Sequence, residues 1–231
     1  MKILAIIPAY NEAERIQPVV QDSLEHLPVL VVDDGSSDAT AERARQAGAL
    51  VYSQRPNQGK GAALKAGFRR ALDEGYQAVV TLDADGQHDP AEIPKFLEAY
   101  QSSAIDLIIG ARDYSQIPLV RRFSNSVGRV TFSWALGQFV PDNQSGYRLI
   151  SDRLMAATLS SREQGFQFEV EMIVTCVESG FSLGWVPIRT IYAGESSHID
   201  PFRHIIEFFS VVIATRRRIR RMDLTIEERK T

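Results

Sequence analysis

Short apolar runs at Lys2–Ile7, Val29–Val32, Leu50–Ser53 and Ala78–Leu82 each close on a cluster of polar and glycine residues, with stretches of helical spacing between them. An apolar run this short with no polar alternation belongs to a strand buried on both faces. Strands of that kind alternating with helices predict an α/β fold built on a doubly wound, mostly parallel sheet. Such sheets bind their ligands in the crevice outside the carboxyl ends of the strands. The clusters Pro8–Glu12, Asp33–Ser36, Asn57–Gly61 and Asp83–Gln87 all follow a run directly, so separate segments converge on one place.

Turn and cap residues set the expected helices. Asn11 caps a helix running to about Leu27, and Ser37 or Asp38 caps one that ends near Ala47. Further helices are expected from about Ala62 to Asp73, Pro90 to about Gln101, Pro118 to Leu136, Asp152 to about Leu159, and from Phe166 to near Gly180. Asp106–Gly110 and Phe181–Pro187 read as strands, as does the region of Leu149 and Ile150.

The turn after the fourth run has the chemistry of a cation site. Asp83 and Asp85 stand two residues apart and so project to one side of an extended chain, and Gln87 can curl back to offer a neutral oxygen. Hard oxygen ligands in this number suit Mg²⁺ or Mn²⁺, which keep positions open for water and phosphate.

With 231 residues, 44% of them hydrophobic, the chain can bury a full core as one domain, and a net charge of −3 argues against a nucleic-acid partner. We expect residues 1–199 to form the catalytic part. Residues 200–231 are expected to be part of it or an appendage, with a helix from Pro201 to about Met222 that joins a Phe- and Ile-rich face to the run Arg216–Arg221. A basic, apolar helix of this type suits a membrane surface or a membrane-anchored subunit, through residues 202–222. The single cysteine, Cys176, lies in an apolar helical pattern and reads as a buried thiol in a reducing compartment. The first apolar run is too short for a signal peptide, and no run reaches the roughly 20 residues that span a bilayer. The expected location is cytoplasmic, peripheral at the cytoplasmic face of a membrane.

Taken together, Pro8-Ala9-Tyr10-Asn11-Glu12, Val31-Val32-Asp33-Asp34-Gly35-Ser36, Asn57-Gln58-Gly59-Lys60-Gly61, Asp83-Ala84-Asp85-Gly86-Gln87-His88, Gly110-Ala111-Arg112, Ser145-Gly146-Tyr147-Arg148 and Val170-Glu171-Met172 are similar in order and spacing to the inverting family 2 glycosyltransferases of GT-A fold. Within these the chain most resembles the dolichyl-phosphate (polyprenyl-phosphate) mannose synthase group, from Ile3 to about Phe209. The resemblance implies transfer of a hexose from a nucleotide diphosphate sugar, GDP-mannose or UDP-glucose, to a polyprenyl phosphate. It implies a nucleotide site of Pro8, Tyr10, Asn11, Glu12, Asp33, Asp34, Gly59, Lys60, Asp83 and Ala84, and a Mg²⁺ or Mn²⁺ ion on Asp83, Asp85 and Gln87. Ser145, Gly146, Arg148, Glu171, His198 and Arg203 would face the sugar or diphosphate. Asp85, Arg112, Arg121, Arg122 and Ser124 would carry the catalysis.

A phosphate monoester has its second pKa at about 6, so such an acceptor needs no strong general base. Alignment and charge compensation are what it demands. A hydroxyl acceptor would instead require a base, for which Asp142, Glu169 or Glu171 would have to serve. Arg148 has a second, structural reading, as a partner of Glu169 or Glu171. Many relatives carry a lysine after serine in the loop that follows Val186-Pro187-Ile188, where this chain has Ser197-His198, replacing a permanent cation by one that titrates near pH 6.5. A nicotinamide-binding protein is excluded, since no G-x-G-x-x-G turn follows the first strand. A catalytically silent nucleotide-sugar-binding protein stays as the alternative, although Lys60, Asp83, Asp85 and Gln87 are all present.

Overall fold

The computed structural model describes residues 1–112, 119–165, 167–189, 191 and 212–221, with the backbone alone over 119–127. Its chain divides into two units, residues 1–112 with 144–191, and residues 113–143 with 192–231. The expected division at 199/200 differs from this grouping, because residues 113–143 join the C-terminal segment.

The first unit holds a seven-stranded sheet in the order β3-β2-β1-β4-β6-β5-β7, formed by β1 (Ile3–Ala9), β2 (Val29–Asp33), β3 (Leu50–Ser53), β4 (Ala78–Thr81), β5 (Leu107–Arg112), β6 (Arg148–Ser151) and β7 (Leu183–Ile188). All neighbours are parallel except around β6, which runs antiparallel to both β4 and β5. The doubly wound, mostly parallel sheet is therefore as expected. The reversal of β6 brings its first residue, Arg148, level with Thr81 at the end of β4.

Helices cover both faces. Ile3, Ala5, Ile7 and Ala9 of β1 alternate with their neighbours and pack with Val29 and Val31 against α1 (Ile16–Leu24), α2 (Thr40–Gln46) and α4 (Ile93–Ser103). The opposite face carries α3 (Lys60–Asp73), which packs on β1 and β2 and on α6 (Asp152–Thr158) and α7 (Gln167–Glu178). Burial of this two-sided apolar core is the main source of stability, at about 25 cal/mol per Å² of apolar surface.

The first helix begins later than the caps suggest. Asn11 takes a left-handed φ of 56°, Glu12 N–H donates to Thr40 Oγ1 at 2.8 Å, and Ala13 N–H donates to Asp38 Oδ2 at 3.2 Å. Residues 11–13 are thus tied to the loop after β2, and the helix starts at Ile16. The third helix starts earlier than expected, at Lys60, with Gly59 as its N-cap at φ 94°.

At the amino end of β5, Asp106 is 1% exposed and its carboxylate accepts from Ser151 Oγ, Ser182 N–H and Oγ, and both Nε and Nη2 of Arg153. Burial acts to raise this carboxyl, but the bonds from Ser182, Arg153 and Ser151 hold it below the ordinary range. Cys176 is fully buried, and burial pushes its thiol up to about 12, which matches the expectation of an inert side chain.

The second unit contains α5 (Leu119–Leu136) and a helical segment over 212–221. Ser133 Oγ accepts the Val140 N–H at 3.0 Å, and the guanidinium of Arg216 lies 5.1 Å from the centre of the Trp134 ring. Loop residues Gly194 and His198, and residues 201–211 of the expected C-terminal helix, lie outside the described residues, as do the side chains of Arg121, Arg122 and Ser124.

Candidate active site

A pocket of about 460 Å³ opens at the carboxyl edge of the sheet, lined by the ends of β1, β2 and β4 and the start of α3. Pro8, Ala9, Tyr10 and Glu12 form one wall, Asp34, Asn57 and Gly59 a second, and Lys60, Ala63, Asp83, Ala84 and Asp85 the third. Most of the residues expected at the nucleotide therefore meet in one cavity. Tyr10 is half exposed and offers its ring to a planar ligand.

Two expected nucleotide residues are spent elsewhere. Asp33 is buried and its Oδ1 accepts the Ser36 N–H at 3.1 Å, closing the turn after β2. Asn11 uses its Oδ1 to accept the Ser37 N–H at 2.9 Å, so it joins the first two loops. Neither lines the pocket, because each short polar side chain satisfies nearby backbone. Asp34 does line it, yet its carboxylate already accepts from Gln54 Nε2 at 2.5 Å, Gln58 N–H at 2.9 Å and Gly59 N–H at 2.7 Å. It shapes the glycine-containing turn that leads into α3. A Cβ on Gly59 would stand 2.7 Å from the Gln164 carbonyl oxygen, so the close approach of that loop demands glycine.

The floor of the site is an ionic cluster. Lys60 Nζ lies 2.5 Å from Asp83 Oδ1 and 3.0 Å from Glu169 Oε1. Burial opposes the charge of Lys60, yet the two carboxylates hold its ammonium above the ordinary value. Against its own burial, the carboxyl of Asp83 is held down to about 2 by the Lys60 charge. Asp85 differs: burial pushes its carboxyl up against the hydrogen bond from the Gln87 N–H, and the Asp83 charge adds to the rise. Asp83 is thus held in its charged form by Lys60, while burial disfavours the charged form of Asp85.

Gly146 makes the cluster possible. A Cβ there would meet Asp83 Oδ2 and Glu169 Oε1 at 2.8 Å each. Its position is fixed by Thr81, whose hydroxyl donates to the Gly146 carbonyl at 2.8 Å.

Arg148, placed by the resemblance at the sugar or diphosphate, is 1% exposed and takes its structural reading instead. Its Nε donates to the Ser145 carbonyl at 2.8 Å and its Nη1 to the Glu169 carbonyl. It ties the entry to β6 to the first turn of α7, and so positions Gly146 and Glu169. Ser145 is likewise buried, and Glu171 is half buried on α7. Arg112 ends β5, half buried. Gln87 contributes its main chain, with its carbonyl accepting the Ile191 N–H at 3.0 Å. His198 and Arg203 lie outside the described residues.

Sequence reasoning did not assign His88 or Thr81 to the site. His88 Nδ1 accepts the Asp83 N–H at 3.1 Å, which assigns the Nε2–H tautomer and braces the acidic turn. Its ring lies 5.1 Å from that of Tyr147, which stacks on Phe96. A histidine three residues after Asp85 was the available signal, but only the fold folds it back under Asp83.

The residues fit a divalent ion in one restricted sense. Among the described residues no three His, Cys, Asp or Glu side chains converge to cage a metal. The Asp85 carboxylate beside Asp83 at the pocket suits the habit of Mg²⁺, which takes one or two carboxylates and fills its shell with water and substrate phosphate.

Residues 4–163 match the sequence profile of glycosyl transferase family 2. The chain is 34% identical over 209 residues to an undecaprenyl-phosphate mannosyltransferase of Micrococcus luteus, covering 83% of this chain and 84% of that one. It is 30% identical over 217 residues to a UDP-N-acetylglucosamine–dolichyl-phosphate N-acetylglucosaminyltransferase of Methanococcus voltae, covering 82% and 86%. Its fold is similar to that of glucosyl-3-phosphoglycerate synthase from Mycobacterium tuberculosis, solved with Mn²⁺, UDP and phosphoglyceric acid, with a TM-score of 0.69, 21% identity and coverage of 93% and 76%.

Proposed function

The chain belongs to glycosyl transferase family 2, and we propose that it transfers a hexose with inversion from a nucleoside diphosphate sugar, GDP-mannose or UDP-glucose, to a polyprenyl phosphate. The observation that carries this reading is the meeting of Tyr10, Glu12, Gly59, Lys60 and the Asp83–Asp85 turn in one pocket at the sheet edge. The names of the relatives from M. luteus and M. voltae support a lipid phosphate acceptor and leave the sugar to the walls of this chain's own pocket.

Asp85, with Asp83, would hold Mg²⁺ or Mn²⁺, and Gln87 completes the proposed set. When bound, the ion offsets the charge that grows on the departing nucleoside diphosphate. The chain's own groups do the rest. Tyr10 and Glu12 receive the nucleoside, and the Gly59–Lys60 turn at the start of α3 favours the diphosphate. Arg112 would draw the anionic acceptor toward a second anion, and Arg121, Arg122 and Ser124 of α5 keep the catalytic role that the resemblance implies for them. Glu169 is engaged by Lys60 and mostly buried, so it serves poorly as a general base, which favours an acceptor already ionised over a hydroxyl.

The test is thermal stabilisation with GDP-mannose, UDP-glucose and UDP-N-acetylglucosamine, each with and without Mn²⁺. A ligand that binds only the native state raises stability by mass action, about 2.7 kcal/mol at a hundredfold excess over Kd. Metal-dependent stabilisation by one donor names the nucleotide. No shift with any donor would count against the transferase reading and the silent nucleotide-sugar-binding reading alike.

The second unit supports a peripheral membrane role. Val130, Trp134, Phe139 and Ile213 are all at least half exposed, and arginines 216–218, 220 and 221 stand on the 212–221 helix. Neither α5 nor 212–221 carries an acidic residue. Exposed apolar side chains beside a run of arginines suit an anionic lipid surface. Among the described residues no helix is long and apolar enough to cross a membrane. The protein is expected to sediment with vesicles containing phosphatidylglycerol and to be released by about 1 M salt, where the Debye length falls to about 3 Å. Trp134→Ala should weaken this binding roughly tenfold. Equal binding to neutral and anionic vesicles would sink the proposal.

A further inference from the structure

The Lys60 cluster carries a consequence for how the site is loaded, and it rests on the metal-dependent reading above. The carboxylates of Asp83 and Glu169 converge on one point from two distant segments, allowed together by the absence of a side chain on Gly146. Lys60 Nζ stands between them, within 3.0 Å of both. Asp83 also neighbours Asp85, so a divalent ion that approaches this pair meets the Lys60 charge at close range. Like charges at that distance in a partly buried site repel strongly.

Lys60 has a second place to go. It is the first residue of α3, a helix of 14 residues, and follows the Asp34-braced Gly59 turn. A diphosphate at the helix start would offer the ammonium a new anionic partner. We infer that Lys60 is a cation with two alternative seats: its ammonium is shared between Asp83 and Glu169 until the donor's diphosphate draws it off, so that metal and nucleotide bind as a unit.

The protein therefore takes up Mn²⁺ weakly alone and more tightly once GDP or UDP is present. Coupling between the two ligands is reciprocal, so Mn²⁺ tightens the nucleotide by the same factor. The test is Mn²⁺ binding, followed by loss of the free-ion electron paramagnetic resonance signal, for wild type and Lys60→Met, with and without GDP or UDP. Lys60→Met is expected to bind Mn²⁺ alone roughly tenfold more tightly than wild type and to lose most of the coupling.

Removing a buried cation can unfold a protein, so a second measurement uses the wild type. Acetylation of Lys60 by acetic anhydride, read by peptide mass spectrometry, should rise when saturating Mn²⁺ is added alone, because the ion ejects the ammonium. It should fall again when GDP or UDP is also present. Unchanged labelling, or a Lys60→Met variant that folds without gaining Mn²⁺ affinity, overturns the inference while leaving nucleotide-dependent metal binding intact. If wild type takes up no Mn²⁺ with either nucleotide, the metal-dependent reading falls first and the inference with it.

Discussion

Asp85→Ala is expected to lower turnover by roughly 10³-fold, the scale seen when a group that stabilises transition-state charge is removed. Asp85 lines the pocket beside Asp83, and whereas Asp83 is already paired with Lys60, burial disfavours the bare Asp85 charge. The fold should survive. A carboxyl raised in the folded state contributes stability below its unfolded pKa of about 3.9, and that contribution is lost as pH rises through the folded value. Without metal at neutral pH, the alanine variant should therefore be as stable as wild type or slightly more so. Donor-dependent thermal shifts with Mn²⁺ should disappear from it. Full turnover by Asp85→Ala would remove the cation from the mechanism.

Arg148→Met should do the reverse, costing stability first. It is buried, and its guanidinium holds the carbonyls of Ser145 and Glu169. Truncation of a buried charged group that leaves partners unsatisfied costs about 3–5 kcal/mol. Urea unfolding should show that loss as a lower midpoint with an unchanged slope. Donor binding by the folded fraction should also weaken, because Gly146 and Glu169 lose their brace. A variant of wild-type stability with a defect confined to the sugar would return Arg148 to the contact role that the resemblance implied.

The two residues show how far a sequence can be read. The mostly parallel sheet was accessible because apolar runs of strand length alternate with helical periods, a local signal. Asp83 and Asp85 were accessible because two carboxylates directly after a buried apolar run are a local signal, although the structure places both in the turn beyond β4 and not on the strand. Arg148 was ambiguous: an arginine before a short strand has the same local appearance whether it faces solvent, substrate or the interior. Only the antiparallel run of β6, set by pairing with β4 and β5, buries it. The delayed start of α1 has a similar cause, since Asn11 and Glu12 are strong helix-start signals that tertiary bonds to Ser37 and Thr40 redirect. Glu169 read as one of several candidate bases, and its pairing with Lys60 joins segments that no local pattern connects.

The anchorage of Asp106 has a bearing on how such a protein can change over generations. Its network of serines and Arg153 gathers at the amino end of β5, while Arg112 stands at the carboxyl end of the same strand. Maintenance of the scaffold and selection of the ligand are thereby assigned to opposite rims. The loops after β1 and β2 can drift toward another base or sugar without touching the carboxylate that holds β5, α6 and β7 together. The segment entering β6 has no such liberty, since Arg148 holds the carbonyls of Ser145 and Glu169 beside the site. Diversity among descendants of this chain should accordingly gather in the loops that follow parallel strands and thin out where the single reversed strand begins.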